Sequence, residues 1–275
     1  MPNILENFSK YCLFINAGIQ RSVAYRMNFL IYRMADICGA LVSYYLWQAI
    51  YRSSTETKLG NFTVQEMSLY VFLSAFASVF ISTYVSGNIG EEIKEGSIAV
   101  RLLKPISFIG TYLFDEIGSK LIQVSVSALP ILGGLCIFQI INPNTLPFNI
   151  MNLILFLVSL VLSYLLNFFF NVCFGYTAFV LQSLWGANLL KSSIISFMSG
   201  VLIPLSFFPT AIKNLFTILP FSSLIYTPVM IYLGKYNTEQ LIKALLIQIV
   251  WIIFFYILSK IIWKFVINRL VVQGG

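Results

Sequence analysis

The sequence predicts an all-α integral membrane protein with six transmembrane helices, and three observations carry that expectation. Of its 275 residues 59% are hydrophobic and only 10% charged, where an average soluble domain carries roughly 25% charged residues. The apolar residues gather in runs that suit helices of about 20 residues, the length that crosses a hydrocarbon core of roughly 30 Å. The 17 basic residues are scattered along the edges of those runs, a pattern of membrane orientation, whereas nucleic-acid binding gathers them with aromatics on one face. One polytopic domain over residues 1–275 is the economical organisation, with lipid as its first partner. No internal repeat argues for the inverted halves of many secondary transporters.

Residues 4–23 place Ile4, Leu5, Phe8, Cys12, Ile15 and Ile19 at spacings of three and four, with Lys10 and Arg21 elsewhere. This reads as an amphipathic helix at the membrane interface, within an interfacial region 1–28. The opening residues lack the basic, apolar and small-residue order of a cleavable signal peptide and are read as retained. Spans are expected at about 30–51, 67–87, 117–141, 150–174, 192–208 and 241–263. With the N-terminus inside, twelve of the 17 Lys and Arg fall in cytoplasmic regions and five (Arg52, Lys58, Lys213, Lys235 and Lys243) outside. Both termini of a plasma-membrane protein are therefore expected in the cytoplasm, with Gly96, Lys191 and Gly275 inside and Gly60 and Asn144 outside.

Between spans two and three, "SGNIGEEIKEGSIAVRLLKPIS" (86–107) holds three of the ten acidic residues, Glu91, Glu92 and Glu95. Asn88 followed by Glu91 has capping-box spacing, so a short helix is expected to begin there, and Pro105 turns the chain before span three. Two readings fit these charges. One is an ordinary solvated loop. The other is a docking helix within 88–104 that presents Glu91, Glu92, Lys94 and Glu95 to a soluble partner, with Ile93 and Ile98 as apolar anchors.

Polar residues recur at four-residue spacing: Ser74, Ser78, Ser82 and Ser86; Ser119, Gln123 and Ser127; Ser159, Ser163, Asn167 and Asn171. Such stripes allow close helix packing and interhelical hydrogen bonds, although one of them can also line a path. Tyr44, Tyr45, Phe72, Phe76 and Phe80, with Ser74 and Ser78, are the residues expected to line a path if there is one. Aromatic stripes more often pack against neighbours. The ionisable groups near the spans are Arg33 and Asp36, three residues apart and able to pair at the inner end of span one, and the acids at the base of span three. Those positions can snorkel or pair and so weigh against an ion-coupled carrier.

Residues 199–235 contain Pro204, Pro209, Pro220 and Pro228, four of the nine prolines, and rule out one straight helix. Broken backbone at membrane depth must be shielded by protein or line a cavity, unless the segment is an ordinary kinked surface loop.

Chemistry is sparse. The chain has no histidine, and Cys12, Cys38, Cys136 and Cys173 show no metal-ligand or redox spacing, so no metal is expected. No phosphate-binding G-x-x-x-x-G-K-[ST] loop occurs, and this chain is expected to be no enzyme.

Four stretches resemble one family. "EEIKEGSIAVRLLKPIS" is similar to the loop between spans two and three of ATP-binding-cassette type-2 exporter permeases. "YRMNFLIYRMADICGALVSYYLWQAIY" resembles their first span, "SGVLIPLSFFPTAIKNLFTILPFSSLIYTPVMIYLG" their fifth span and outer re-entrant segment, and "RLVVQGG" a common C-terminal ending. The resemblance implies that the loop, with Asn88 and Gly96 in the same surface, is a coupling helix seated in a groove of a separate ATPase. That partner would bind the ATP and Mg, and no cofactor would be bound by this chain. It also implies a re-entrant segment over 205–235, a second permease, identical or related, and export of an amphipathic, peptide-like or lipid-like cargo. A scaffold or sensor subunit that docks through the same helix is the alternative function, and an ion-coupled carrier is a further one.

Overall fold

The computed structural model describes residues 4–24, 26–103, 106–141, 148–181 and 183–267, and every regular element among them is helical. Lys104, Pro105, Asn144, Arg269 and Gly275 lie outside the described residues, as do the side chains of residues 4–10, Arg26, Ser127 and Cys136.

Helix α1 (Ile4–Ala24) leads into α2 (Arg26–Ser53), and α3 (Val64–Ile81) follows a short loop. Thr63 and Glu66 form a reciprocal capping box at the start of α3, which satisfies amides that the first turn leaves open. After a break come α4 (Val85–Lys94) and the five-residue α5 (Ile98–Leu102). Helix α6 (Phe108–Gln123) runs through a π turn, Val124–Ala128, into α7 (Leu129–Ile141). Helix α8 (Ile150–Gly175) begins at an Asn149 cap and ends in a 3₁₀ turn. Then come α9 (Trp185–Met198), α10 (Thr210–Ile218), α11 (Tyr226–Tyr232) and α12 (Thr238–Val266), the last opened by an Asn237–Gln240 capping box.

The core is built around α3, which packs against α2, α7, α8 and α11 and buries Met67, Leu69, Tyr70, Leu73, Phe76 and Ala77 almost completely. Helix α12 behaves in the opposite way. It packs on α8 yet leaves Ile242, Leu246, Val250, Ile253, Phe254, Ile257 and Ile261 exposed, an apolar stripe that suits hydrocarbon and not water. Among the described residues three helical stretches are long and apolar enough to cross a membrane: Val64–Lys94, Ile150–Phe179 and Thr238–Val266.

The polar stripe of α8 joins helices. The amide nitrogen of Gln248 in α12, with two hydrogens to give, lies within hydrogen-bond distance of Ser159 Oγ (3.0 Å), Ser163 Oγ (3.0 Å) and the Ser223 carbonyl (2.8 Å), all buried, and Asn167 donates to the Ile81 carbonyl at 2.8 Å. Arg33 pairs with Asp36 at 2.9 Å.

Three boundaries differ from the sequence expectation. The second stretch, read as one helix over 67–87, is interrupted at Ser82–Tyr84. The third helical rod starts at Phe108, well before 117. The fifth helix, read over 192–208, occupies Trp185–Met198, because Gly200 takes φ +83°, a conformation open to glycine that a helix does not contain. Tyr70 donates to the Gly200 carbonyl at 2.6 Å and Tyr226 N–H donates to the Ser199 carbonyl at 3.0 Å, so the core pins this ending before any proline is reached.

Candidate functional site

The break between α3 and α4 contains neither glycine nor proline; side chains of α6 make it. Ending a helix leaves carbonyls and amides without partners. Here the Glu116 carboxylate accepts from the Tyr84 N–H at 2.7 Å and from the Thr83 hydroxyl at 2.6 Å. Lys120 Nζ donates to the carbonyls of Ser82 and Val79 and to Ser82 Oγ. A carboxylate caps the new helix and an ammonium closes the old one.

This corrects the position of Asn88. It does not start the helix; α4 begins at Val85 with no side-chain cap of its own, and Asn88 lies inside it, its N–H donating to the Tyr84 carbonyl. Its side chain lines a cavity of about 220 Å³ shared with Arg21, Asp115, Glu116 and Lys120. Glu91 and Glu92 accordingly fall toward the end of α4, not in its first turn.

From Val85 the chain makes an elbow: α4 ends, Gly96 takes φ +74° with open space around it, and α5 returns. Glu91, Lys94, Glu95, Gly96 and Ser97 are exposed at its tip. Glu92 is not. It accepts from Arg101 Nε at 2.8 Å and from Arg101 Nη2, and from Tyr112 Oη at 2.6 Å. Arg101 also donates to Thr111 Oγ1 at 3.0 Å and lies 4.0 Å from the Tyr112 ring centroid. Burial works against the Arg101 charge, but the Glu92 hydrogen bond, Tyr112 and the neighbouring carboxylates outweigh it and raise its pKa. A bidentate Arg–carboxylate pair fixes geometry as well as charge, and here it clamps the elbow onto α6.

Ile98 is fully buried and Ile93 packs on the cluster of Val85, Ile89, Tyr112 and Phe168. The expected cluster therefore divides: an outward face of Glu91, Lys94 and Glu95, and an inward strut of Glu92, Ile93 and Ile98. Sequence reasoning missed Val100 and Leu103, exposed by 63% and 85% beside the same tip. It also missed Arg101 and Tyr112, whose shared partner Glu92 lies 9 and 20 residues away, beyond the spacing of one helical turn that marks a local pair.

Behind the elbow, Lys191 of α9 places its ammonium 2.9 Å from Ser86 Oγ, 2.5 Å from Asn171 Oδ1 and 2.7 Å from Asn188 Oδ1. Helices α4, α8 and α9 thus meet on one charge.

A second feature is a cavity of about 390 Å³ between α2 and α3, lined by Arg33, Asp36, Trp47, Tyr70, Ser74 and Ser78 among others. Ser74 and Ser78 turn their hydroxyls back to their own helix, to the Val71 and Ser74 carbonyls. None of Tyr44, Tyr45, Phe72, Phe76 and Phe80 is in its lining. Phe76 is core, the Tyr44 and Phe72 rings meet at a tilt with centroids 5.4 Å apart, and Tyr45 faces outward at 68% exposure. Pro204 is buried ahead of a 3₁₀ turn and Pro209 precedes α10; Pro220 and Pro228 are buried around the turn into α11. No cluster of metal-ligating residues occurs among the described residues.

A family profile described as ABC-2 family transporter protein matches residues 37–274, most of the chain. A search of curated proteins returned no match.

Proposed function

Because the chain belongs to the ABC-2 transporter family, we propose that it is the permease subunit of an ATP-driven exporter whose α4–α5 elbow docks a separate ATP-binding-cassette ATPase. The elbow carries this reading. Its exposed tip offers Glu91, Lys94, Glu95, Val100 and Leu103 to a partner, while its base is held by the Glu92–Arg101–Tyr112 clamp. A push on the tip therefore reaches α6 through the clamp, α3 through the Glu116–Lys120 junction and α9 through Lys191.

In this reading α2, α3, the α6–α7 rod, α8, α9 and α12 are the six spans. Helix α9, at 14 residues or about 21 Å, relies on the segment that follows to complete its crossing. Residues 1–28 are an interfacial helix, 88–104 the cytoplasmic coupling region and 205–235 an outer re-entrant segment, with both termini in the cytoplasm. ATP and Mg belong to the partner ATPase. A second permease faces this one, and the α2–α3 cavity with Ser74 and Ser78, flanked by the Tyr44–Phe72 face, is the path for an amphipathic, peptide-like or lipid-like cargo.

The test is Glu91→Lys with Glu95→Lys. Both side chains are exposed, so each change should alter stability by no more than about 0.5 kcal/mol, whereas losing an interfacial charge pair costs about 2–5 kcal/mol. ATPase co-purification should drop by tenfold or more, and ATP-dependent flux into inverted vesicles should drop with it. Glu56→Lys is the control. Undiminished ATPase binding in the double variant would remove the docking assignment, and ATPase binding without ATP-dependent flux of any cargo would favour a scaffold.

A further inference from the structure

Of the five basic residues assigned to the outer side, three converge on one cavity. Lys213 of α10, Lys235 of the α11–α12 loop and Lys243 of α12 line a space of about 470 Å³ at the opposite end of α3 from the elbow. That is about 27 Å away, for 18 residues at 1.5 Å each. Three cations in one basin repel each other, and among the described residues one of them has an ion-pair partner: Lys235 pairs with Glu66, which is not in the lining. Among the described residues no Asp or Glu lines the cavity, and Lys213 and Lys243 have no carboxylate within ion-pair distance.

The rest of the lining is equally one-sided. Asn214 and Gln240 add neutral hydrogen-bonding groups, and Ser206 Oγ, which also belongs to this wall, is buried without a hydrogen-bond partner. A buried hydroxyl left without a partner is costly unless something else satisfies it. Ile218 and Ile247 supply an apolar side. Uncompensated cations, an unused hydroxyl and an adjoining apolar wall form a binding site for an anion carried on an amphiphile.

We infer that this basin binds a phosphate-type anion: the headgroup of an acidic phospholipid, whose glycerol and first methylenes rest on Ile218 and Ile247. A free phosphate group on a soluble molecule shares the chemistry, and the experiment separates the two. The position of the basin in the outer leaflet rests on the topology proposed above. The anion binding does not, so its test uses the purified full chain in neutral detergent.

Binding is measured by native mass spectrometry with dihexanoyl-phosphatidylglycerol, dihexanoyl-phosphatidylcholine and inorganic phosphate as the probes. The phosphatidylglycerol is expected to bind at least tenfold more tightly than the phosphatidylcholine. Lys213→Gln with Lys243→Gln should weaken it at least tenfold, since each lost charge-assisted hydrogen bond accounts for about tenfold or more. Lys213→Arg with Lys243→Arg should retain it, and so should Lys58→Gln, an exposed lysine outside the basin. Phosphatidylglycerol tighter than inorganic phosphate supports the lipid headgroup. Equal affinities, lost together in the double Gln variant, support the anion site and overturn the lipid as its source. Equal binding of the two lipids, or phosphatidylglycerol binding that the double Gln variant leaves intact, overturns the site itself.

Discussion

The protein interrupts its helices in two places by two different means. At residues 199–228 the interruption starts in the backbone's own residues: Gly200 adopts φ +83°, a turn that Tyr70 of the core then holds, and Pro204, Pro209, Pro220 and Pro228 keep the backbone from resuming one axis. At Ser82–Tyr84 the interruption is imposed from another helix, by Glu116 and Lys120. A local break is stiff, because it is built into the dihedral angles of its own residues. A break held by side chains opens and closes with the helix that supplies them. The second kind suits a joint that transmits motion, and it is the one beneath the elbow.

Substitutions separate the two kinds. The largest effect is expected for Glu116→Leu, which strands the Tyr84 N–H and Thr83 hydroxyl and leaves Lys120 without its neighbouring carboxylate, at a cost of about 3–5 kcal/mol. Thermal unfolding in detergent should register the loss, with faster amide exchange confined to residues 83–86. Adding Lys120→Leu should recover part of it; a double variant no better than the single would mean that the two charges are not coupled through the break.

Glu92→Lys comes next. It places two cations where Arg101 now has a carboxylate, and about 2–3 kcal/mol should be lost with the clamp. Glu91→Lys, one residue away, should cost about 0.5 kcal/mol at most. Comparable destabilisation by both would show that the cluster does not divide into an outward and an inward face. Limited proteolysis between α4 and α6 reads the same difference.

At the local break the expected effects are smaller. Gly200→Ala forces a side chain into the left-handed region and brings its Cβ to 2.9 Å from Tyr70 Oη, for about 1–2 kcal/mol. Gly96→Ala meets nothing within 4 Å and should cost about 1 kcal/mol. A larger effect at Gly96 than at Gly200 would contradict the contrast between open tip and packed core. The smallest change is Pro209→Ala, before α10 and exposed, expected to stay within about 0.5 kcal/mol. It cannot rejoin α9 to α10, because α9 has already ended at Met198; circular dichroism should show no gain in helix.

What could be read from the sequence follows the same division. Helix α8 starts where the apolar run from 150 places it, whereas α12 starts at Thr238, ahead of the expected 241, because the Asn237–Gln240 capping box lies outside the apolar run that set the expectation. The stripe on α8 was legible as a helix contact, and Gln248 with Ser159 and Ser163 bears that out, whereas Ser74 and Ser78 on α3 turn back to their own helix. Ser82–Tyr84 was not legible, since its cause lies more than thirty residues away, as the Tyr84–Glu116 separation of 32 shows. The capping-box spacing of Asn88 and Glu91 was a false local signal, overridden by a carboxylate from α6. Glu92 looked like its neighbours in composition and differs from them only through Arg101 and Tyr112.

The crossing of α1 and α6 has a consequence for how the chain is made. A Cβ on Gly18 would lie 2.1 Å from the Asp115 carbonyl oxygen and one on Gly118 would lie 2.0 Å from that of Ile15, so the two backbones touch where both residues are glycine. Arg21 reaches Asp115 beside that contact, across a sequence separation of 94. Ribosomes add roughly 5–20 residues each second, so α1 emerges about 5–20 s before its seat exists. An amphipathic helix can spend that interval on the lipid surface. Its final docking then depends on α6 arriving with glycine at 118, and a bulkier residue there would leave α1 with nowhere to settle.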